Sequence, residues 1–345
     1  MPSAADTRAP VQWLEGLSPW PRDGFGTRRM RELLERLGNP QRAFDAIHVV
    51  GTKGKSTAAR RIARTIGGPA YTSPHVAGWH ERLDTDPAGF ADAIARVRAD
   101  AEAVDATQFE VLTAAAFADF ADRGATSAAI EAGLGGRHDA TNVIGARVVL
   151  LTNVGLEHTD VLGATREEIA REKLAVAGPH ATVVLPDGEF AHLVGGDARI
   201  GGAEEAVEAF LGRRVPLAEA QLPGRLEIRD GDVRDGAHTP EAVDWLLERL
   251  PEPHDYTVVA SVLRDKDVNG ILSRLARAGR TLVATRSSNE RALAAGEVAE
   301  AANSRFETVL VESDPRAALA RARSLRRPVL VTGSLYLLAD LSADQ

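Results

Sequence analysis

The stretch Ile47-His48-Val49-Val50-Gly51-Thr52-Lys53-Gly54-Lys55-Ser56-Thr57 decides the fold, because an apolar run passes through glycines into Lys-Ser and a helical pattern. In such a turn the glycines let backbone N–H groups converge on phosphate oxygens, and the next helix presents its positive N-terminus. Lys55 would neutralise the β- and γ-phosphates, and the Ser56 hydroxyl would reach Mg²⁺. The stretch therefore predicts a phosphate-binding loop of the compact G-T-x-G-K-[ST] type. The alternative is a glycine-rich turn with a solvated lysine.

Composition limits the class of protein. At 345 residues, with 44% apolar and 26% charged residues, the chain has the size of about two soluble domains. Because cysteine is absent, thiol catalysis and thiolate metal sites are excluded, and a bound cation would be a hard one such as Mg²⁺. The formal net charge of −8 argues against a nucleic-acid partner. The basic run 321–327 ends an alanine-rich helical pattern, where positive side chains complement the helix C-terminus.

The chain shows no sign of export or membrane insertion. Its longest uncharged apolar stretches are strand-sized, and the first ten residues lack a basic-then-apolar signal pattern. We therefore expect a cytoplasmic protein with no membrane partner.

Strand and helix patterns alternate along the chain. Strand-sized runs at 127–130, 148–152 and 182–185 are separated by helical patterns that include 108–123 and 166–177. This alternation predicts a parallel sheet with helices on both faces, which binds ligands at the carboxyl ends of its strands. Pro/Gly punctuation at 221–225 suggests a hinge, and a second β/α series follows it. We predict a first domain over 1–222 and a smaller α/β domain over 223–345.

Polar residues follow the predicted strands. Glu131 comes directly after an apolar run, where a nucleotide-bound Mg²⁺ needs a carboxylate ligand. His158 follows the strand 148–152 among carboxylates, and Ser73 lies in Thr-Ser-Pro-His at the same predicted sheet edge. Each has a plainer interpretation as a loop residue or a surface histidine. The glycines after Glu131 lack the G-x-G-x-x-G spacing of a dinucleotide site.

Two further groups are weaker signals by themselves. Lys173 falls in a predicted helix, where it would be a solvated face residue. Asp235 and His238 lie in a tight turn before a helix, and helix capping by Asp235 or Thr239 is the alternative.

The ordered motifs together resemble the folylpolyglutamate synthase and dihydrofolate synthase family, within the Mur-ligase superfamily of ATP-dependent amide ligases. The similarity covers nearly the whole chain. The matching segments are Gly51-Thr52-x-Gly54-Lys55-Ser56, Thr72-Ser73-Pro74-His75, Glu81-Arg82-Leu83, the block 131–142, Gly155-Leu156-x-His158-Thr159, Arg171-Glu172-Lys173, Pro223-Gly224-Arg225, Asp235-Gly236-Ala237-His238, Asp265-Lys266-Asp267 and Thr332-Gly333-Ser334-Leu335-Tyr336.

The resemblance implies a P-loop central domain of the Mur-ligase type, followed by a Rossmann-like C-terminal domain. It implies an enzyme that uses ATP to add L-glutamate to a folate or dihydropteroate carboxylate through an acyl phosphate. Two Mg²⁺ ions and a carbamylated Lys173 are expected, in a monomer. Two alternatives stay open: the same chemistry on a different small carboxylate, and a degenerate nucleotide-binding protein.

The resemblance also assigns residues to roles. The catalytic set is Lys55, Glu131, His158 and Lys173. The ATP-binding set is Gly51, Thr52, Lys53, Gly54, Lys55, Ser56, Thr57, Asn142, Arg225 and Asp235. The metal ligands are Ser56, Ser73, Glu131, His158 and Lys173. The substrate-binding set is Arg82, His238 and Ser334.

Four departures from the family pattern leave the phosphate and metal chemistry intact and bear on the identity of the nucleotide base and the substrate. The segment between Lys173 and Arg225 is shorter than usual, so part of a peripheral sheet is expected to be missing. The folate enzymes typically carry an extra glycine between the lysine and the serine of this loop; here Ser56 directly follows Lys55, which is closer to the murein-ligase form. Gly202 stands where the family has an asparagine near adenine, and Thr239 replaces the asparagine after Asp-Gly-Ala-His.

Overall fold

The protein consists of two compact units of α/β structure. A computed structural model describes residues 7–21, 24–76, 78–220, 222–251, 255–325 and 328–342. The first unit comprises Met1–His75 and Trp79–Ala220, and the second comprises Val76–Gly78 and Gln221–Gln345.

Six parallel strands form the sheet of the first unit. They are β1 (Asp45–Val50), β2 (Ala70–Tyr71), β3 (Ser127–Glu131), β4 (Val148–Leu151), β5 (Thr182–Leu185) and β6 (Ala198–Ile200). Their order is β2-β3-β1-β4-β5-β6. The chain leaves β1 toward one side of the sheet and leaves β4 toward the other. Open α/β sheets bind ligands beside such a reversal, at the carboxyl ends of the strands.

Helices cover both faces of this sheet. They are α1 (Arg8–Glu15), α2 (Arg28–Arg36), α3 (Lys55–Ile66), α4 (Pro87–Ala103), α5 (Gln108–Asp122), α6 (Thr159–Leu162), α7 (Arg166–Leu174) and α8 (Ala203–Leu211), with 3₁₀ turns at Pro40–Arg42, Trp79–Leu83 and Ala191–Leu193. Ala46 and Val50 of β1 lie in the apolar cluster that α4 and α5 share. Ile47 and Val49 lie in the cluster that α3 and α8 share. Strand β1 is therefore buried on both faces, as parallel strands usually are.

The second unit has its own six-stranded sheet. Its strands are β7 (Glu227–Arg229), β8 (Asp232–Arg234), β9 (Thr257–Ala260), β10 (Thr281–Ala284), β11 (Thr308–Val311) and β12 (Val329–Thr332), in the order β11-β10-β9-β12-β8-β7. Only the β7–β8 pair is antiparallel among these strands. The helices are α9 (Pro240–Leu247), α10 (Val268–Leu275), α11 (Ala295–Ala302), α12 (Pro315–Leu325) and α13 (Leu335–Asp340).

The predicted α/β fold class is confirmed, and most predicted elements exist with small differences at their ends. The helix predicted over 166–177 stops at Leu174, because Gly178 and Pro179 follow it closely and Pro cannot continue a helix. The basic run at the end of α12 also pairs with a strand, since Arg323 Nε donates to Asp232 Oδ2 at 2.8 Å. Two residues of the basic run, Arg326 and Arg327, lie outside the described residues. So does Gln221 of the predicted hinge. In the described ranges, the helices are too short or too polar to cross a lipid bilayer.

Candidate active site

The loop between β1 and α3 needs glycine at two positions. Gly51 has φ +140°, and a Cβ there would lie 2.0 Å from Thr152 Oγ1. Gly54 caps α3 in the left-handed conformation with φ 80°. Since only glycine adopts both conformations without strain, the loop can turn tightly and α3 begins directly at Lys55.

The segment after β4 holds this loop through side-chain contacts that sequence reasoning missed. The amide of Asn153 accepts from Lys53 N and donates to Lys53 O, both at 2.9 Å. Thr152 Oγ1 donates to Lys53 O at 2.7 Å, and Thr52 Oγ1 accepts from Gly155 N at 3.0 Å. The available signal was the position of Thr152 and Asn153 at the end of a predicted strand. Knowing that β4 lies beside β1 requires the strand order.

Lys55 lies over the loop that precedes it. Its Nζ donates to Gly51 O at 3.0 Å and to Thr52 O at 3.3 Å. The ammonium is therefore held at the mouth of the loop, next to the N-terminus of α3. A cation and a helix N-terminus side by side form a site for phosphate oxygens.

Glu131 and Ser56 meet at the same sheet edge. Glu131 ends β3 with 2% of its surface exposed. Its Oε1 accepts from Ser56 Oγ at 3.0 Å, and its Oε2 accepts from the backbone N of Ser73 at 2.9 Å. The structure thus brings together three of the predicted metal ligands, although Ser73 contributes its N–H to this contact.

The donor set fits a hard divalent cation. A hydroxyl and a buried carboxylate supply oxygen ligands, which Mg²⁺ prefers. Among the described residues, no group of three or more His, Asp or Glu side chains could hold an ion by itself. A cation here would complete its coordination with phosphate oxygens and water, as Mg²⁺ does in nucleotide sites.

Lys173 is buried rather than solvated, so its interpretation as a face residue is wrong. It is 2% exposed, and its Nζ donates to Glu157 Oε1 at 2.9 Å and to Gly51 O at 3.1 Å. Burial lowers the pKa of Lys173, the Glu157 carboxylate opposes that shift, and Lys55 adds to it. The lysine therefore contacts the phosphate loop from α7.

His158 has a different environment. It is exposed and lies at the N-cap of α6 with φ 47°. In the described part of the chain, its imidazole forms no hydrogen bond. The structure brings its neighbour Glu157 to Lys173 and leaves the His158 ring facing solvent.

The loop between β3 and β4 packs against α7. A Cβ on Gly136 would lie 2.5 Å from Lys173 O, and Arg137 N donates to Glu172 O at 3.1 Å. Asn142, a predicted ATP-binding residue, donates its side-chain N–H to Arg137 O at 2.9 Å. The predicted block 131–142 therefore begins at the end of β3 with Glu131 and continues as a loop that packs against α7, the helix of Lys173.

Arg82 belongs to a separate aromatic cluster of the first unit. Its Nε donates to His75 Nδ1 at 3.0 Å, and its guanidinium lies 5.0 Å from the centre of the Trp79 ring. Burial, with the Arg82 and His80 charges, lowers the pKa of His75 to about 3. His75 is therefore a neutral acceptor that orients the guanidinium.

The second unit orders its predicted residues through backbone hydrogen bonds. Asp235 accepts from Leu226 N at 2.9 Å and from Ala237 N at 2.8 Å. Burial raises the pKa of Asp235, and burial lowers the pKa of His238. His238 Nδ1 lies 2.7 Å from Gly236 O, so the N–H is on Nδ1 and Nε2 is left as an acceptor.

Ser334 and Thr239 are helix caps. Ser334 Oγ accepts from Tyr336 N at 3.1 Å at the start of α13, and Thr239 Oγ1 accepts from Ala242 N at 3.3 Å at the start of α9. The turn of Ser334 lies beside that of Asp235, because Gly333 N donates to Ala237 O at 2.9 Å. The alternative of capping at Thr239 is therefore confirmed.

Comparisons with known proteins agree with this arrangement. Residues 224–335 match the family described as Mur ligase, glutamate ligase domain. A dihydrofolate synthase/folylpolyglutamate synthase of Mycobacterium tuberculosis is 32% identical, and the alignment covers 81% of this chain and 77% of that protein.

Solved structures resemble the fold over almost its full length. The folylpolyglutamate synthase of Mycobacterium tuberculosis complexed with ADP and AMPPCP gives a TM-score of 0.85 at 27% identity, with 98% of this chain and 97% of that chain covered. The bifunctional folylpolyglutamate synthase/dihydrofolate synthase of Yersinia pestis complexed with AMPPNP and Mn gives 0.82 at 26% identity, with 99% of each chain covered.

A phosphate loop on one unit and a glutamate ligase domain on the other define a ligase of the Mur superfamily. Within that class, the chain belongs to the folylpolyglutamate synthase and dihydrofolate synthase family. The resemblance seen in the sequence is thereby confirmed.

Proposed function

We propose that this protein uses ATP and a divalent cation to join L-glutamate, through an amide bond, to the carboxylate of a folate or dihydropteroate. The observation that carries the proposal is the buried Glu131 carboxylate, 3.0 Å from Ser56 Oγ at the N-terminus of α3. Structures of similar proteins have been solved with ADP and AMPPCP and with AMPPNP and Mn, which supports binding of a nucleotide and a divalent metal here.

The chemistry follows from what these residues can stabilise. The γ-phosphoryl group passes to an oxygen of the substrate carboxylate, which gives an acyl phosphate and ADP. The glutamate amine then attacks the carbonyl carbon, loses a proton, and phosphate leaves as the amide bond forms. Phosphoryl transfer requires mainly alignment and charge neutralisation, which Lys55 and the N–H groups of α3 provide. Mg²⁺, when bound, supplies further positive charge at the phosphates, with Ser56 and Glu131 as ligands.

Lys173 is proposed to be carbamylated by CO₂. Its lowered pKa supports this, because only a neutral amine attacks CO₂. As the N–C bond forms, one C=O π bond of CO₂ opens and Nζ loses a proton to solvent. The product would be an anion beside the Glu157 carboxylate, which now accepts from Nζ at 2.9 Å. Two adjacent anions need a cation between them, so we propose that the carbamate would bind a second Mg²⁺. His158 is a further proposed ligand of that ion.

The remaining assignments are proposals of the same kind. ATP contacts are proposed for Asn142, Arg225 and Asp235, and substrate contacts for Arg82, His238 and Ser334. The oriented guanidinium of Arg82 suits a carboxylate group. The free Nε2 of His238 is an acceptor, and it suits the amino group of an amino acid such as glutamate. We also propose domain limits of 1–222 and 223–345 and a monomeric state.

A different small carboxylate is the second candidate substrate. The observation that favours it is the murein-like loop, in which α3 begins at Lys55 without a further glycine. The test is an ADP-release assay with mass spectrometry of the products. We expect 7,8-dihydropteroate or a reduced folate, together with L-glutamate, to stimulate ADP release, and uridine-nucleotide muramyl substrates to be inert. Turnover with an unrelated acid and none with any pteroate or folate would favour the second candidate.

A further inference from the structure

His48 is a buried histidine that the proposed chemistry does not use. It lies in the middle of β1 with 0% of its surface exposed, and its Nε2 is 2.8 Å from Thr141 Oγ1. Its Nδ1 is buried with no hydrogen-bond partner in the described ranges. Burial lowers the pKa of His48 to about 4, so the ring is neutral near pH 7.

The other hydrogen bonds of Thr141 determine which atom donates in its contact with His48. Thr141 donates its backbone N–H to Asp139 Oδ1 at 3.0 Å, and its hydroxyl donates to the same oxygen. Leu134 N donates to Asp139 Oδ2 at 2.8 Å. Burial raises the pKa of Asp139, and these donors oppose that rise by stabilising the carboxylate.

The same geometry determines the tautomer of His48. Because the Thr141 hydroxyl gives its hydrogen to Asp139, its oxygen accepts from Nε2–H of His48. Nδ1 then carries a lone pair. The other tautomer would bury an N–H group without an acceptor, and orphaned buried donors are rarer than orphaned acceptors. Hydrogen bonds therefore run from His48 through Thr141 to Asp139.

This chain of hydrogen bonds joins two parts of the candidate site. His48 lies two residues before Val50, where β1 ends and the phosphate loop begins at Gly51. Asp139 and Thr141 belong to the loop that starts after Glu131 and packs against the backbone of Lys173. The strand that precedes the phosphate loop is thus hydrogen-bonded to the loop that follows Glu131 and packs against Lys173.

We propose that His48 is a positioning residue: through Thr141 and Asp139 it fixes the loop 132–142, so that Glu131 and Lys173 keep their places around the MgATP phosphates. This inference rests on the proposed function only for its kinetic part. Its structural part, the direction of the hydrogen bonds, is independent of the substrate.

The first test separates positioning from packing. His48→Leu removes the donor to Thr141 and also the unpaired Nδ1, so its stability should stay close to that of the wild type. We expect kcat/KM for MgATP to fall roughly tenfold, as when other outer-shell partners of metal sites are removed. His48→Gln, which keeps an amide donor, should recover much of this loss. Thr257→Val is the matched control, since it removes another buried unpaired polar atom, from β9 of the second unit, and should leave kinetics unchanged.

The second test asks whether His48 acts through Thr141. Thr141→Val should lower kcat/KM for MgATP by a similar factor, and the double variant with His48→Leu should lose little more. Losses that multiply in the double variant would contradict the proposal. A lower melting temperature and a lower activity together in His48→Leu, with no recovery of activity in His48→Gln, would also contradict it.

The third test needs no turnover. In ¹⁵N-histidine spectra, the wild-type resonances that disappear in His48→Gln belong to His48. They should report a neutral ring with its hydrogen on Nε2 between about pH 6 and 8. Calorimetry should show weaker MgADP binding to His48→Leu than to the wild type. An Nδ1–H tautomer or unchanged MgADP affinity would overturn the inference. A wild type that binds MgADP normally but releases no ADP with any folate would instead refute the proposed function.

Discussion

The carboxyl edges of the two sheets hold their polar residues in different ways. In the first unit, charged side chains contact partners from distant parts of the sequence, as in Ser56 with Glu131 and Lys173 with Glu157. In the second unit, Asp235, His238 and Ser334 bond to backbone groups, mostly two residues away.

The difference indicates a division of labour. A buried ammonium and a buried carboxylate are costly to keep, and they are typical of sites that stabilise developing charge. In the second unit the buried Asp235 carboxylate accepts from two backbone N–H groups. Side chains ordered by backbone groups in this way are suited to binding a substrate in one orientation. We therefore expect substitutions of Lys55, Glu131 and Lys173 to affect the chemical step. Substitutions of His238 and Ser334 should affect substrate binding.

The largest effect is expected at Lys55. Lys55→Ala removes the cation that lies 3.0 Å from Gly51 O at the phosphate loop. The rate of ADP release should fall by about 10²-fold or more, because one charge-neutralising donor in such a site contributes a few kcal/mol. Chelation of the divalent cation should have the same result. Arg98→Ala, on the exposed face of α4, is the control and should release ADP at the wild-type rate. Unchanged ADP release in Lys55→Ala would contradict a role of the phosphate loop in the reaction.

A nearly equal loss is expected at Lys173. Lys173→Arg keeps the positive charge but cannot form a carbamate, so it should fold and show almost no turnover. Lys173→Ala should be inactive too, and acetate should restore part of its activity while leaving Lys173→Arg inactive. Removing CO₂ should slow the wild type, and bicarbonate should restore it. Full activity of Lys173→Arg would show that the ammonium paired with Glu157 is the working form.

A smaller and different effect is expected in the second unit. His238→Ala removes the free Nε2 acceptor and leaves the turn intact, because Asp235 still accepts from Ala237 N. The KM for L-glutamate should rise roughly tenfold, the cost of one hydrogen bond to a charged group, while kcat changes less. An unchanged KM for glutamate with a large fall in kcat in His238→Ala would show that His238 affects the chemical step, and this would contradict its role in substrate binding.

The smallest effect concerns stability in acid. The pKa of His48 is about 4 in the folded protein, against 6.5 for the unfolded chain, so between these values the unfolded chain binds more protons. The contribution of this group to the free energy of unfolding is therefore complete above pH 6.5 and is lost as the pH falls toward 4. From pH 7 to pH 5 the loss is roughly 2 kcal/mol. Urea unfolding should show that His48→Leu is less sensitive to this change in pH, and equal pH sensitivity of variant and wild type would contradict the lowered pKa.

The sequence predicted the parts of the fold and site that local patterns encode. The phosphate loop follows from its glycines and Lys-Ser, and Glu131 follows from its position after a buried strand. Strand β5 lies at the predicted residues 182–185 because a short apolar run between turn signals leaves little choice of ends.

The contacts between strands could not be predicted in the same way. Three such contacts depend on β1 lying between β3 and β4 and on α7 packing against the phosphate loop. They join Asn153 to Lys53, His48 to Thr141, and Lys173 to Glu157. Hydrophobic periodicity gives the type of an element but not its neighbours. The burial of Lys173 was missed for this reason, since its helix alone gives no sign of what covers it.

The measurement that tests the central claim most directly follows one oxygen atom. If ATP activates the substrate carboxylate as an acyl phosphate, then one oxygen of that carboxylate leaves with the phosphate when glutamate attacks. Dihydropteroate labelled with ¹⁸O in its carboxylate, incubated with ATP, Mg²⁺ and L-glutamate, should therefore yield inorganic phosphate that carries one ¹⁸O atom, as read by mass spectrometry. Amide formation with phosphate that contains no ¹⁸O would contradict phosphoryl transfer to the carboxylate and with it the role assigned to the edge of the first sheet.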